Sequence, residues 1–296
     1  MAIAVSPSKL SLPQVNPGVT TVLEFLTLKF PSITQAIWRQ RMADGKVHWH
    51  DGSLIRENSL FAPQQRVYYY RELEHEPIIP FTEKILFQDE LILVAYKPHF
   101  LPVTPGGKYI EQCLQSRLRK STGNQELQAL HRIDRATAGL VLFSADAKSR
   151  AAYHKLFETH QVNKSYQAVA SIINQEVIEN QRWEIKNRLQ KSQVKFLMNI
   201  VEGHANSHSL IRCLRTSDDK ALFELNPITG KTHQLRVHMQ SLALPLLNDT
   251  YYPDLQADQP DDFSKPLQLL AQKLEFVDPL TKQQRSFHSN SKLTIN

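Results

Sequence analysis

Between Tyr166 and Leu225 the chain runs through strand-like segments in close succession: Tyr166 to Ile172, Trp183 to Leu189, Lys195 to Val201, Ser209 to Leu214 and Ala221 to Leu225. Strands that follow one another, with helices interspersed rather than strictly alternating, point to an α+β fold with a mixed or antiparallel sheet. Further strands are expected at Ile85-Leu86 and Leu91 to Ala95, ahead of a loop punctuated by Pro98, Pro102 and Pro105. Helices are expected around Ile110 to Leu118 and after a cap near Asp146, where Tyr153 and Phe157 stand four apart. A third is expected from an N-cap at Thr232, carrying Leu235, Met239 and Leu242 on one face. The Asp-rich stretch from Pro253 to Pro266 reads as a surface loop.

The N-terminal quarter reads differently. Pro7, Pro13 and Pro17 leave little room for a periodic element, so residues 1–20 are expected to form a flexible arm. Helical patterns over Thr20 to Lys29 and Ile33 to Met42 precede strand-like runs at 46–52 and 67–70, with a turn at Asp51-Gly52. Residues 21–76 thus form a small α+β module, joined through the proline-punctuated 74–80 segment to a large domain over 81–290.

Composition narrows the class without naming it. The formal charge of +6 over 296 residues suits a polyanionic partner but does not demand one. Cys113 and Cys213 are too few for a disulfide framework and too far apart for a zinc site, so buried thiols are expected. No run of eighteen apolar residues marks a membrane span, and the first residues lack the pattern of a secretory signal, so a cytoplasmic location and no membrane partner are expected.

The chemistry concentrates in two segments. In the first, Leu130 to Phe143, Asp134 lies between Arg132 and Arg135 beside an apolar run. A carboxylate among guanidinium groups is available as a nucleophile or charge stabiliser. Structural ion pairs produce the same pattern, so this segment alone does not settle the matter. The second segment, Leu225 to His238, contains TGKTHQLRVH.

Together HRIDRATAGLVLF and TGKTHQLRVHM resemble the HRLDRxTSGLLLF and TGRTHQIRVHL signatures of the RluA-type RNA pseudouridine synthases. Lys164 to Val169 is similar to the family's KxYxAxV strand, and ILFQDELILVAYKPHFLPVTPGG to its opening block. The resemblance runs from about Ile85 to about Phe287. It implies an isomerase that breaks the bond from ribose C1′ to the uracil ring, turns the base, joins C5 to the sugar and removes the C5 proton. Such chemistry needs no cofactor and no metal, but does need a pocket for an extruded base.

What the resemblance implies for single residues is specific. Asp134 is the essential aspartate, whether it attacks ring or sugar or assists glycal formation. Tyr166 is the active-site tyrosine, safer as a stacking ring than as a base because an unperturbed phenol titrates near 10. Arg236 is expected to hold Asp134 through a bidentate bond. Arg132 takes the space left by the flipped nucleotide, and His131, Arg135, Lys231, Thr232 and His233 join it in contacting RNA. Arg39, Arg41 and Lys46, near the helix-to-strand junction, resemble part of an alpha-L RNA-binding module. Departures from the family pattern are Ala136, Ala138, Tyr96, Leu270 and Asn248 before Asp249. The expected substrate is ribosomal or transfer RNA, and the expected enzyme a monomer.

Other readings rank lower. Gly230-Lys231-Thr232 lacks the glycine a phosphate loop needs at position 225, where Leu225 stands. The pairs His48/His50 and His204/His208 lack a convincing set of further metal ligands. No Gly-x-Ser-x-Gly elbow occurs. The competing class is a catalytically silent RNA-binding protein on the same scaffold.

Overall fold

The computed structural model describes all residues except 1, 5, 6, 174, 175, 195, 258 and 296. It divides into two units, Met1–Pro77 and Ile78–Asn296.

The first unit contains β1 (Ala2–Ile3), β2 (Ser8–Ser11), α1 (Val22–Lys29), α2 (Gln35–Ala43), β3 (Val47–Trp49), β4 (Arg66–Tyr69) and β5 (Glu72–Leu73). A capping box starts α1: the Thr21 hydroxyl accepts from Glu24 N at 3.2 Å, and the Glu24 carboxylate accepts from Thr21 N at 3.2 Å. Thr34 caps α2 in the same sense, accepting from Ile37 N. The buried faces of both helices meet Val47, Val67 and Tyr69 around Trp38. The expectation of an irregular arm over residues 1–20 is corrected. β1 pairs with β5 and β2 with β4, because Pro7 and Pro13 flank β2 without interrupting it, and Leu12 is drawn into the core.

The second unit contains β6 (Lys84–Gln88), β7 (Ile92–Lys97), α3 (Leu114–Thr122), β8 (Gln128–Ala129), β9 (Ala138–Ser144), α4 (Arg150–Glu158), β10 (Asn163–Ser171), β11 (Arg182–Lys191) and β12 (Met198–Val201). It continues with β13 (Ser207–Ser217), β14 (Lys220–Pro227), α5 (Gln234–Ser241), β15 (Leu269–Val277) and β16 (Gln284–His288). Its strands form a sheet in the order β12-β11-β13-β14-β10-β15-β9-β7-β6, with β16 also on β15 and β8 on β9. β9 and β15 run parallel and their neighbours antiparallel, so the sheet is mixed and the class α+β. Of the strand expected over 195–201, Lys195 lies outside the described residues.

The sheet centre is buried on both faces. Along β9, Val141 and Phe143 enter one apolar cluster and Leu140 and Leu142 another, as the two-residue period of a strand requires. At Gly139, β9 and β15 approach too closely for a side chain. The φ of Gly139 is +117°, and a Cβ there would lie 2.2 Å from the carbonyl oxygen of Ala271. A glycine here lets β15 lie against the strand that follows the Asp134 loop.

Two helix starts differ from expectation. α3 begins four residues later than 110, because the Cys113 sulfur takes the capping position and accepts from Ser116 N, while Gly123 in the left-handed region ends the helix. Thr232 does not cap α5. His233 occupies that position with φ +53°, and the first helical residue, Gln234, turns back to accept from Lys231 N at 3.1 Å and Thr229 Oγ1 at 2.6 Å. Gln234 also donates to the His208 carbonyl and to Ser209 Oγ, so the turn is tied to β13. Both cysteines are buried thiols, as expected.

Candidate active site

Three elements of the second unit converge on one cleft of about 660 Å³. They are the loop before β9, the bulged start of β10 and the turn leading into α5. Asp134, Tyr166 and Arg236 all line it, with Arg132, Lys164, Lys231 and Thr232. Sequence separations of 102 residues between Asp134 and Arg236 are thereby closed to contact.

Two inward-facing side chains, Lys97 and His99, set the Asp134 loop. Lys97, at the end of β7, is fully buried and donates to the carbonyls of Pro98 (2.9 Å), Leu101 (2.7 Å) and Arg135 (3.0 Å). Burial pushes its pKa well below the usual lysine value, against the opposing pull of Asp134. His99 binds the same loop, its Nδ1 2.7 Å from the Ala136 carbonyl; burial lowers its pKa to about 4, so the ring is neutral and Nδ1 carries the donated proton.

Asp134 itself is 27 % exposed, and its Oδ2 accepts from Arg236 Nη1 at 3.4 Å. The expected bidentate bond from Arg236 exists, but to another acid. Arg236 Nε donates to Asp249 Oδ2 at 2.8 Å and Nη2 to Asp249 Oδ1 at 2.6 Å. The guanidinium also lies 4.8 Å from the ring centre of Tyr251 and 5.3 Å from that of Tyr252. Burial alone would lower the pKa of Arg236, but the Asp249 bonds and the charges of both acids outweigh it and hold the guanidinium firmly protonated. The reason for the correction is burial: a charge on α5 inside the protein needs a carboxylate that is itself buried and saturated. Asp249, with its side chain 1 % exposed, meets that need.

Tyr166 sits where β10 pairs with Leu225 of β14 and Ala271 of β15. Burial and the nearby Asp134 charge both raise its pKa, so the phenol keeps its proton. Lys164, two residues earlier, has its pKa lowered by burial and stands beside Gly230.

The remaining expected residues separate into exposed and engaged groups. Arg132, Lys231 and Thr232 are exposed on the cleft wall. His131 turns inward: its Nε2 accepts from Leu142 N at 3.1 Å, its ring stacks on Phe157 at 4.8 Å, and burial lowers its pKa to about 3. Arg135 is occupied by a bidentate pair with Asp261, 2.7 Å at each bond. His233 is buried against Tyr252, Nδ1 to Oη 3.0 Å, and burial lowers its pKa.

Among proteins of known sequence, the model of the RNA pseudouridylate synthase family matches residues 91–241. The chain belongs to this family. Over 228 residues it is 32 % identical to the dual-specificity RNA pseudouridine synthase RluA of Vibrio vulnificus, covering 71 % of this chain and 83 % of that protein. An uncharacterized RNA pseudouridine synthase of Synechocystis is 26 % identical, covering 78 % and 79 %. The solved structure of human RNA pseudouridylate synthase domain containing 1 shares the fold, with TM-score 0.58, 22 % identity and coverage of 73 % and 86 %. The protein is thus an RNA pseudouridine synthase of the RluA type, an isomerase acting on RNA, and not a silent scaffold.

Asp249, Tyr251, Tyr252 and Lys97 are the residues that sequence reasoning missed as parts of the site. A signal for Asp249 existed in Asn248. The family has glycine there, and Asn248 adopts φ +61°, a left-handed conformation that asparagine tolerates best among residues with a side chain. The departure from the family pattern keeps the turn that delivers Asp249.

Proposed function

We propose that this enzyme converts uridines of structured ribosomal or transfer RNA to pseudouridine, with Asp134 as the group that acts on the sugar or ring of an extruded uridine. The observation that carries this reading is the placement of Asp134 in an open cleft where, among the described residues, its carboxylate has a single long contact from Arg236, leaving oxygen lone pairs for substrate. The uracil ring stacks on Tyr166. Because that phenol holds its proton, Tyr166 supports the base and donates a hydrogen bond instead of acting as the resting base. Arg236 orients Asp134 while Asp249 and the two tyrosines fix Arg236 in turn. Arg132, Lys231 and Thr232 meet the backbone of the RNA along the cleft wall.

Bond changes balance without an outside reagent. The C1′–N1 bond breaks, the C1′–C5 bond forms, and the C5 proton leaves while N1 gains one. No redox partner, metal ion or nucleotide is consumed, and among the described residues no group of three or more His, Cys, Asp or Glu could hold a metal ion. The test is release of tritium from RNA transcribed with carbon-5-tritiated uridine. Release that survives exhaustive chelation is expected; release that stops on chelation and returns with a divalent ion would overturn the metal-free reading. Mapping pseudouridines in cellular RNA with and without the gene identifies the target.

A further inference from the structure

The sheet of the first unit turns a second chemistry outward. Its strands lie in the order β2-β4-β3, and Lys9, Tyr68 and His48 stand directly opposite one another across the three strands. Directly opposed residues share a face. Val67 and Tyr69 point into the core, so Arg66 and Tyr68 point away from it. Ser11 lies opposite Arg66, one step along the same face.

The rings on this face form a continuous stack. His48 lies 5.4 Å from Tyr68 with ring planes 11° apart, and His50 flanks the same tyrosine at 5.7 Å and 27°. His50 Nδ1 is 3.0 Å from the Tyr68 hydroxyl, and His48 Nδ1 is 2.8 Å from the Trp49 carbonyl, which fixes both rings in place. Lys9 and Arg66 are exposed at its margins and form no ion pair among the described residues. The paired outward positions carry no carboxylate. The nearest acid in the adjoining turn, Asp51, accepts from Ser53 N and Oγ.

Flat rings bordered by free cations suit unpaired nucleotides, whose bases stack and whose phosphates are anionic. By contrast, the cations near the helix-to-strand junction each have an acidic partner. Arg41 and Lys46 both bind Glu72, at 3.0 and 2.5 Å, and Arg39 binds Glu57 at 3.1 Å. We propose that the face formed by Lys9, Tyr68, His48, His50 and Arg66 of the first unit is a docking surface for a single-stranded stretch of RNA. The bases stack on Tyr68 and the histidines, and the phosphates pair with Lys9 and Arg66. The proposal rests on the reading of this protein as an RNA-modifying enzyme and adds which RNA feature its first unit holds.

The test uses the full chain and a short fluorescein-labelled oligouridylate, read by anisotropy. Tyr68→Ala is expected to raise Kd roughly tenfold, Tyr68→Phe, which keeps the ring but frees His50, to raise it less, and Lys9→Ala to weaken binding and flatten its salt dependence. Photocrosslinking of 4-thiouridine RNA to the unaltered protein should label β3 or β4, which keeps the proposal testable if a variant folds poorly. Unchanged binding by Tyr68→Ala, an effect of Lys9→Ala alone, equal affinity for a duplex, or crosslinks confined to the second unit would each overturn it. Tritium release separates the two readings. Release with Tyr68-independent binding removes the docking surface and leaves the enzyme, whereas Tyr68-dependent binding without release does the reverse.

Discussion

Asp134 and Asp249 share one guanidinium, and their surroundings give them opposite work. Asp249 is buried, receives two short bonds from Arg236, and has Oδ1 further occupied by Tyr251 N at 2.9 Å and Tyr252 N at 3.2 Å. Asp134 faces the cleft with one contact at 3.4 Å. A saturated carboxylate builds the site, and an unsaturated one is left to react. The same division separates Arg135, bound twice by Asp261, from Arg132, which is exposed beside it.

The largest expected effect breaks the pair of acids at its reactive member. Asp134→Asn should reduce tritium release by at least about 10³-fold, within the range for loss of a group acting on the reacting atoms, while unfolding and RNA affinity stay near those of the parent. Residual turnover above a few per cent would mean that Asp134 is not the reacting acid. The converse is expected of Asp249→Ala. Removing the partner of a buried arginine should cost about 3–5 kcal/mol in denaturant unfolding, because Arg236 is left charged and unpaired. If this variant unfolded like the parent, the structural role given to Asp249 would be wrong.

Acidity sharpens the same contrast between supporting and reacting groups. His99, His131 and His238 are held neutral by burial, with pKa values lowered to about 4, about 3 and about 4. In the unfolded chain each takes a proton below about 6.5. The unfolded state therefore binds more protons as pH falls. The stability that depends on these neutral rings is fully present above pH 6.5 and is lost between there and about 4 for His99 and His238, or about 3 for His131. Each ring contributes a slope of at most about 1.4 kcal/mol per pH unit. Urea unfolding across this range should show the decline, and His131→Asn should flatten it; an unaltered slope would separate His131 from the effect.

The smallest effect concerns the two arginines. Arg132→Ala should lower the slope of log affinity against log salt by about 1, as expected for one lost phosphate contact. Arg135→Ala should leave that slope nearly unchanged and lower stability instead, since its charge is already spent on Asp261. Equal salt slopes for the two variants would erase the distinction between them.

Much of this was legible in the residues themselves. The close succession of strands from Tyr166 to Leu225 and the motif order around Asp134, Tyr166 and Arg236 both arise from local spacing. Local interactions repeat with the backbone period, and a sequence displays that period directly. Residues 2–3 and 8–11 were less legible, because a short strand gains its definition from the partner strand it pairs with.

Tertiary structure alone decided which acid Arg236 grips, which side chain ends the turn before α5, and which cations remain free. Each depends on which groups the folded chain brings within reach of one another. Asp249 wins Arg236 because it is buried beside it, His233 takes the capping position in place of Thr232 where Gln234 ties the turn to β13, and Glu72 claims Arg41 and Lys46. The sequence supplies every competitor; only the packed chain sets their distances and their access to water, and those two quantities determine which bonds form.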